Sequence, residues 1–281
     1  MRQKIILRRA GALGDVLCAT PIARRLRQLN PAAEIVGQTN VPEALAENIW
    51  IDRVIPMNQR EPDAELIDLD LAYERRPTMH IVDAYMEAAG IDGDKTPCFG
   101  RFHPTGTTHK IEFIAIHAAR AWPSRTFSPA FWDTVITVLL HKFSYPIVLV
   151  GHGGDYRVAH DRVINMVGRL TLAETRLMIE TAGLLVCNDS GMLHLAGTTR
   201  AAIVGLFTSV KAAYRLPYRD GVLGWNCAAI EAPIGCYGCL AEAPVPSTNL
   251  VCRRGDNACV TSIEPAAVVD QVATFVAGNA M

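Results

Sequence analysis

The chain has 281 residues, of which 50% are apolar and 20% charged, and a formal net charge of −1. That length suits two ordinary domains or one large one, and that balance suits a soluble globular protein. The near-neutral charge gives no case for a nucleic-acid partner, and no apolar run is long enough to span a bilayer. The start, MRQKIILRRAGALGD, is basic but has a short apolar run and no cleavage site. It reads as a first strand rather than a signal peptide, and a cytoplasmic protein is expected.

KIILRR (4–9) is the first predicted strand. AGALGD and a helix to about residue 29 follow; Pro21 inside it must start a helix proper or kink one. AEIVGQT (33–39) is a strand, VPEALAENI a helix, DRVIPM extended and AELIDLDL (64–71) a strand. TMHIVDAYMEAAGI (78–91) repeats apolar residues at helical spacing and stops at Gly90. Residues 92–110, rich in Gly, Pro and Thr, read as an interdomain linker. EFIAIHA (112–118) opens a second alternation as a strand. A helix capped by Ser128 with Pro129 at its first position follows, then the buried strand PIVLVG (146–151). DYRVAHDRVI reads as a helix, INMVG as a short strand, and TLAETRLMIETAG as a helix boxed by Thr171 and Glu174. LLVCND and AAIVGLF (201–207) are further strands. This order predicts an α/β fold of two parallel-sheet, nucleotide-binding-type units.

Charge is segregated along the chain. Residues 1–30 carry Arg2, Lys4, Arg8, Arg9, Arg24, Arg25 and Arg27 against Asp15 alone, whereas residues 41–94 carry thirteen acids and four bases. Solvated helix faces account for this, and so does a basic lip suited to an anionic acceptor or a peripheral membrane contact.

Ligands of such sheets sit beyond the carboxyl ends of the strands, so the loops there are the candidate sites. GALGD gives Gly11 and Gly14 for a tight turn, with Asp15 at a helix start. It is not the dinucleotide fingerprint, because its glycines are G-x-x-G. Asp15 would repel a phosphate, so it suits a base; it also suits an ordinary acidic helix start. HAARAWPSRTFSP carries Arg120 and Arg125, which can neutralise a diphosphate. GHGGDY brings Gly151, and FTSVKAAYRLPY offers the hydroxyls of Thr208 and Ser209. NDSGMLHLAG (188–197) places Asp189, Ser190 and Gly191 where a strand gives way to a helix, with His194 about one turn on. That pattern serves an anion at a helix start, and equally an ordinary cap with a packed histidine.

Eight cysteines are present; Cys18 and Cys187 lie in apolar runs. Cys236, Cys239, Cys252 and Cys259 follow the spacing C-x2-C-x12-C-x6-C. Four thiolates at that spacing point to a structural Zn or Fe site with no position open to substrate.

LRRAGALGDVLCATPIARRLR, the long GRLTLAETRLMIETAGLLVCNDSGMLHLAGTTRAAIVGLF and the late CYGCL…C together resemble the heptosyltransferases of glycosyltransferase family 9. The resemblance implies a GT-B fold, two Rossmann-like domains facing across a cleft. It implies transfer of a sugar, usually heptose from ADP-heptose, with inversion and without a catalytic metal. It makes Asp15 the base, assigns Asp189, Ser190, Gly191 and His194 to the donor, and puts Arg125 where the family has a lysine. On this reading residues 1–105 form the acceptor-side domain. Residues 106–262 form the nucleotide-sugar domain with the cysteine knuckle at 236–259, and residues 263–281 a helix that packs back on the first domain. The acceptor stays open between a glycan, a lipid-linked sugar and a protein hydroxyl. A sugar-nucleotide epimerase or hydrolase of similar fold, and a non-catalytic nucleotide-binding module, are the rival readings.

Overall fold

The computed structural model describes residues 2–102, 104, 110–120, 122–242 and 252–278. Its first half builds β1 (Lys4–Arg8), α1 (Leu13–Cys18), α2 (Thr20–Leu29), β2 (Glu34–Gln38), β3 (Arg53–Ile55), β4 (Glu65–Asp68) and α3 (Ile81–Ala89). The strands lie in the order β3-β2-β1-β4, all parallel. Ile5, Leu7 and Ile35 pack on Ile22, Leu26, Ile81 and Tyr85 of the helices. Each such buried aliphatic side chain contributes about 1.5–3 kcal/mol. Pro21 starts a helix of its own: α1 ends at Cys18 and the ring lies in the first turn of α2, where no N–H is needed. Gly90, at φ 65°, stops α3 as expected.

The second half builds β5 (Phe113–His117), α4 (Pro129–Lys142), β6 (Ile147–Leu149), β7 (Val163–Asn165), α5 (Leu172–Ala182), β8 (Gly183–Asn188), α6 (Gly191–Ala196) and β9 (Ala202–Phe207). The hairpin β10 (Tyr218–Arg219) and β11 (Val222–Leu223), then β12 (Cys227–Glu231), α7 (Ala258–Thr261) and α8 (Pro265–Gly278) complete it. The order β12-β9-β8-β5-β6-β7 is all parallel. β8 and β9 are buried along their whole length, which is why they read as unbroken apolar runs. From β5 the chain steps outward to β6 and β7 and returns to the other side at β8. That reversal is a topological switch point, and the first sheet has another between β1 and β4.

Three expectations change. VPEALAENI keeps only a 3-10 turn, Pro42–Ala44, since Glu47 takes a left-handed φ of 57° and Asn48 bonds the Trp50 N–H. DYRVAHDRVI is not helical. Asp155 is spent on neighbouring loops, the Tyr156 hydroxyl donates to Asp133, and Arg162 donates to the carbonyls of Leu140 and Phe143. The last helix does not return to the first half: Val268, Val269 and Val272 of α8 enter the core of the second sheet beside α4. Of the linker, 103 and 105–109 lie outside the described residues. Its start docks on the first half through Arg24 to the carbonyls of Asp94 and Thr96. Among the described residues no helix is long and apolar enough to cross a membrane.

Candidate active site

At the second switch point one side chain ties two loops together. Asn188, the buried end of β8, accepts from the Ala119 N–H at 3.1 Å. Its Nδ2 donates to the carbonyls of Ala119 and Arg125 at 3.2 and 2.7 Å. The loop after β5 is thereby held over the strand ends. Arg125 in that loop lies 3.2 Å from the buried Asp189 carboxylate and 4.3 Å from the Trp122 ring centroid. Burial pushes the Arg125 guanidinium below its ordinary value, and the Asp189 charge opposes that shift. Arg120 is exposed, forms no ion pair among the described residues and borders a cavity of about 580 Å³ with Phe127 and Asn257.

Ser190 makes no side-chain cap bond. Its Oγ lies 3.1 Å from His117 Nδ1, and His117 Nε2 lies 3.3 Å from Asp155 Oδ2. Asp155 also accepts from the N–H groups of Arg120 and His152 at 2.9 and 2.7 Å. Burial raises the Asp155 carboxyl, but His117 and those N–H groups more than offset it and hold it below its usual range. An ionised carboxylate only accepts, so His117 donates from Nε2 to Asp155 and presents Nδ1 to the Ser190 hydroxyl. His117 ends β5 and Asp155 lies in the glycine turn, so both are strand-end residues. Their contact is not visible in any spacing. A Cβ on Gly151, at φ 144°, would fall 2.5 Å from Asp155 Oδ2. Gly151 therefore packs against this chain of bonds.

Three further candidates have partners inside the fold. Thr208 donates to the Ser124 carbonyl at 2.5 Å, and the Ser124 hydroxyl donates to Ser209 at 3.1 Å. Both hydroxyls are buried and brace the turn that carries Arg125, because a buried hydroxyl needs a partner. His194 is buried with Nδ1 3.3 Å from Cys18 Sγ, and burial brings it down to about 4. It is neutral near pH 7 and packs on α1.

Asp15 stands on α1 at the first switch point. Its Oδ2 accepts from the Ala12 N–H at 2.7 Å and from Arg9 at 2.9 Å, while Oδ1 has no partner among the described residues. Arg9 is buried and also holds Glu74 and the Leu69 carbonyl. Gly14 sets the seam between α1 and α6: a Cβ there would lie 2.5 Å from the His194 ring and 3.3 Å from Gly191 Cα. Gly11 has ordinary room, 3.5 Å from Val41. The seam brings Asp15 and the 188–191 turn to the same interface. Residues 214–221 close it from the other side. His80 Nε2 lies 2.9 Å from the Leu216 carbonyl, Tyr218 donates to Asp83, and the Gly221 N–H donates to Thr96.

Cys236, Cys239 and Cys252 line one cavity of about 200 Å³, and the charges of all three raise the Cys259 thiol beyond the effect of its burial. Partial burial raises Cys252, but the backbone N–H groups of Asn257, Arg254, Gly255 and Asp256 bring it below its ordinary value. Among the described residues no three potential ligands close to metal-binding geometry. The loop is bonded to the arginine turn's support: the Gly238 N–H donates to the Thr208 carbonyl and the Leu240 N–H to that of Ser209.

The model of glycosyltransferase family 9 (heptosyltransferase) matches residues 88–231, just over half of the chain. The chain belongs to glycosyltransferase family 9. No curated protein is matched by the sequence. Among solved structures, TibC, an iron-containing dodecameric glycosyltransferase from enterotoxigenic E. coli H10407, aligns at 16% identity with a TM-score of 0.76, covering 98% of this chain and 77% of its own. E. coli ADP-heptose LPS heptosyltransferase II aligns at 13% identity and 0.71, covering 99% and 100%. E. coli heptosyltransferase WaaC, solved with ADP, aligns at 14% and 0.63, covering 99% and 100%. These likenesses show the fold: GT-B, two Rossmann-like domains. Family membership makes the protein a heptosyltransferase-like glycosyltransferase.

Proposed function

We propose that this glycosyltransferase moves a sugar, a heptose carried on ADP, to an acceptor hydroxyl with inversion, the first half holding the acceptor and the second the donor. The observation that carries this reading is the free Oδ1 of Asp15 at the interface that also holds Arg125, Asp189 and Ser190. Arg9 and the Ala12 N–H fix the other oxygen, which aims the carboxylate. Asp15 takes the proton of the acceptor hydroxyl as its oxygen bonds the anomeric carbon from the face opposite the diphosphate. The bond to the diphosphate breaks, its electron pair leaves on ADP, and Arg125 offsets the new charge. The donor class is supported by TibC, which has been solved in complex with ADP-D-beta-D-heptose. Asp15→Asn tests the base. Turnover should fall by about two to four orders of magnitude, with donor affinity kept. Full turnover in the folded variant would end the role.

The four clustered cysteines support a second part of this reading, a structural Zn or Fe. Cys252 already sits in a nest of N–H groups that favours a thiolate, the form that binds metal. Bound there, the ion would staple the loop beneath Thr208 and Ser209 and supply no chemistry to the substrate. Elemental analysis of protein prepared without chelator should find about one metal per chain; metal-free protein refutes it.

A further inference from the structure

Arg215 has no part in the reading above. It follows β9, is half-buried, and places its guanidinium 4.6 Å from the ring centroid of Tyr73 in the other half. The same ring takes the Arg9 guanidinium at 5.0 Å. Among the described residues Arg215 donates one hydrogen bond, to the Tyr214 carbonyl at 3.0 Å. No carboxylate pairs with it among the described residues, unlike Arg9 with Asp15 and Glu74, or Arg125 with Asp189. Stacked on the ring that also carries Arg9, which holds Asp15, it stands at the first switch point, and its charge also lowers the Arg125 guanidinium at the second. Arg125 and Arg215 thus both belong to this interface, and of the two only Arg125 has a carboxylate partner among the described residues, Asp189. Holding two cations together in a half-buried place favours an anion of more than one charge, and a guanidinium fork fits phosphate oxygens.

We propose that Arg215 is a second cation on the donor diphosphate and takes its outer phosphate, the one bonded to the sugar. This rests on the glycosyltransferase reading and deepens it. When the acceptor oxygen bonds the anomeric carbon and its proton passes to Asp15, the bond from that carbon to the phosphate oxygen breaks. The electron pair stays on the outer phosphate, where Arg215 meets it. Tyr73 positions Arg215 by stacking from the opposite half, so the cation is in place only when the halves are together.

The test is calorimetric binding of ADP and AMP to the full chain. ADP carries the outer phosphate and AMP lacks it. Arg215→Met should weaken ADP about 10- to 100-fold, the worth of a charged hydrogen bond, and leave AMP unchanged. AMP binding also reports that the variant is folded. Arg215→Lys, which keeps the charge and loses the fork, is the second variant; it should weaken ADP less than methionine does and again spare AMP. Equal ADP affinity in the variants, or equal loss of ADP and AMP in folded protein, overturns the proposal while leaving the transferase reading standing. A wild-type chain that binds neither nucleotide overturns both.

Discussion

Asp155 is the residue that the local pattern hides best. It accepts from His117 and from the N–H groups of Arg120 and His152, and so fixes both the loop after β5 and the orientation of Ser190. Asp155→Asn turns an N–H donor toward groups that already donate. We expect a loss of about 1.5–3 kcal/mol, the range for bonds to a charged group, in urea unfolding. A change below about 0.5 kcal/mol would assign the bonds little weight. The same lesson holds for Thr208, Ser209 and His194. Each is a good ligand type at a strand end or helix turn, and each is consumed by a buried neighbour.

Among the elements, the seam of α1 on α6 fixes how far Asp15 stands from the 188–191 turn. Gly14 permits it, since any Cβ would meet the His194 ring, which is buried and cannot swing away. Gly14→Ala should cost about 1–3 kcal/mol, as overpacking of a close contact does. Gly191→Ala would first meet the Leu13 side chain, at 3.1 Å, and should cost less. Chemical denaturation of both variants gives the order, and a reversed order would move the tight point of the seam to Gly191. The start signals of α4 and α5 were legible: Ser128 accepts from the Phe131 N–H, and Thr171 and Glu174 form the expected box. β12 was not, because this edge strand buries only Ile230 and its run of small residues carries no β-branched or aromatic signal before it.

Over the whole molecule, acid should loosen the joint between the halves. His80 is buried against the Leu216 carbonyl across that joint, and burial brings it down to about 4, as it does His194. The unfolded chain takes up these protons below about pH 6.5, whereas the folded chain resists to about 4. Below the unfolded value the unfolded state therefore binds more protons, so stability is whole above about pH 6.5 and falls as pH drops toward 4. Each histidine should remove roughly 2 kcal/mol between pH 7 and 5. Urea unfolding at the two pH values measures this, and His80→Asn, which can still cap α3, should halve the slope. A flat profile would show that neither histidine is buried neutral.

The sequence by itself determined the α/β class, the two parallel sheets, most strands and caps, and which loops reach the strand ends. These follow from periodicity and from residues within a few positions of one another. Only the tertiary structure decided what the site residues touch. The basic start of the chain is the plainest case. Arg2 and Arg27 pair with Asp52, Lys4 with Glu61, Arg8 with Asp68, Arg9 with Glu74 and Arg24 with Asp94, so the segregated charges cancel one another. Likewise Cys18 claims His194 from 176 residues away, and Tyr73 receives Arg215 from the other half. A hydrogen bond or ion pair belongs to two groups at once, and a chain written in order states each group but not which one the fold will set beside it.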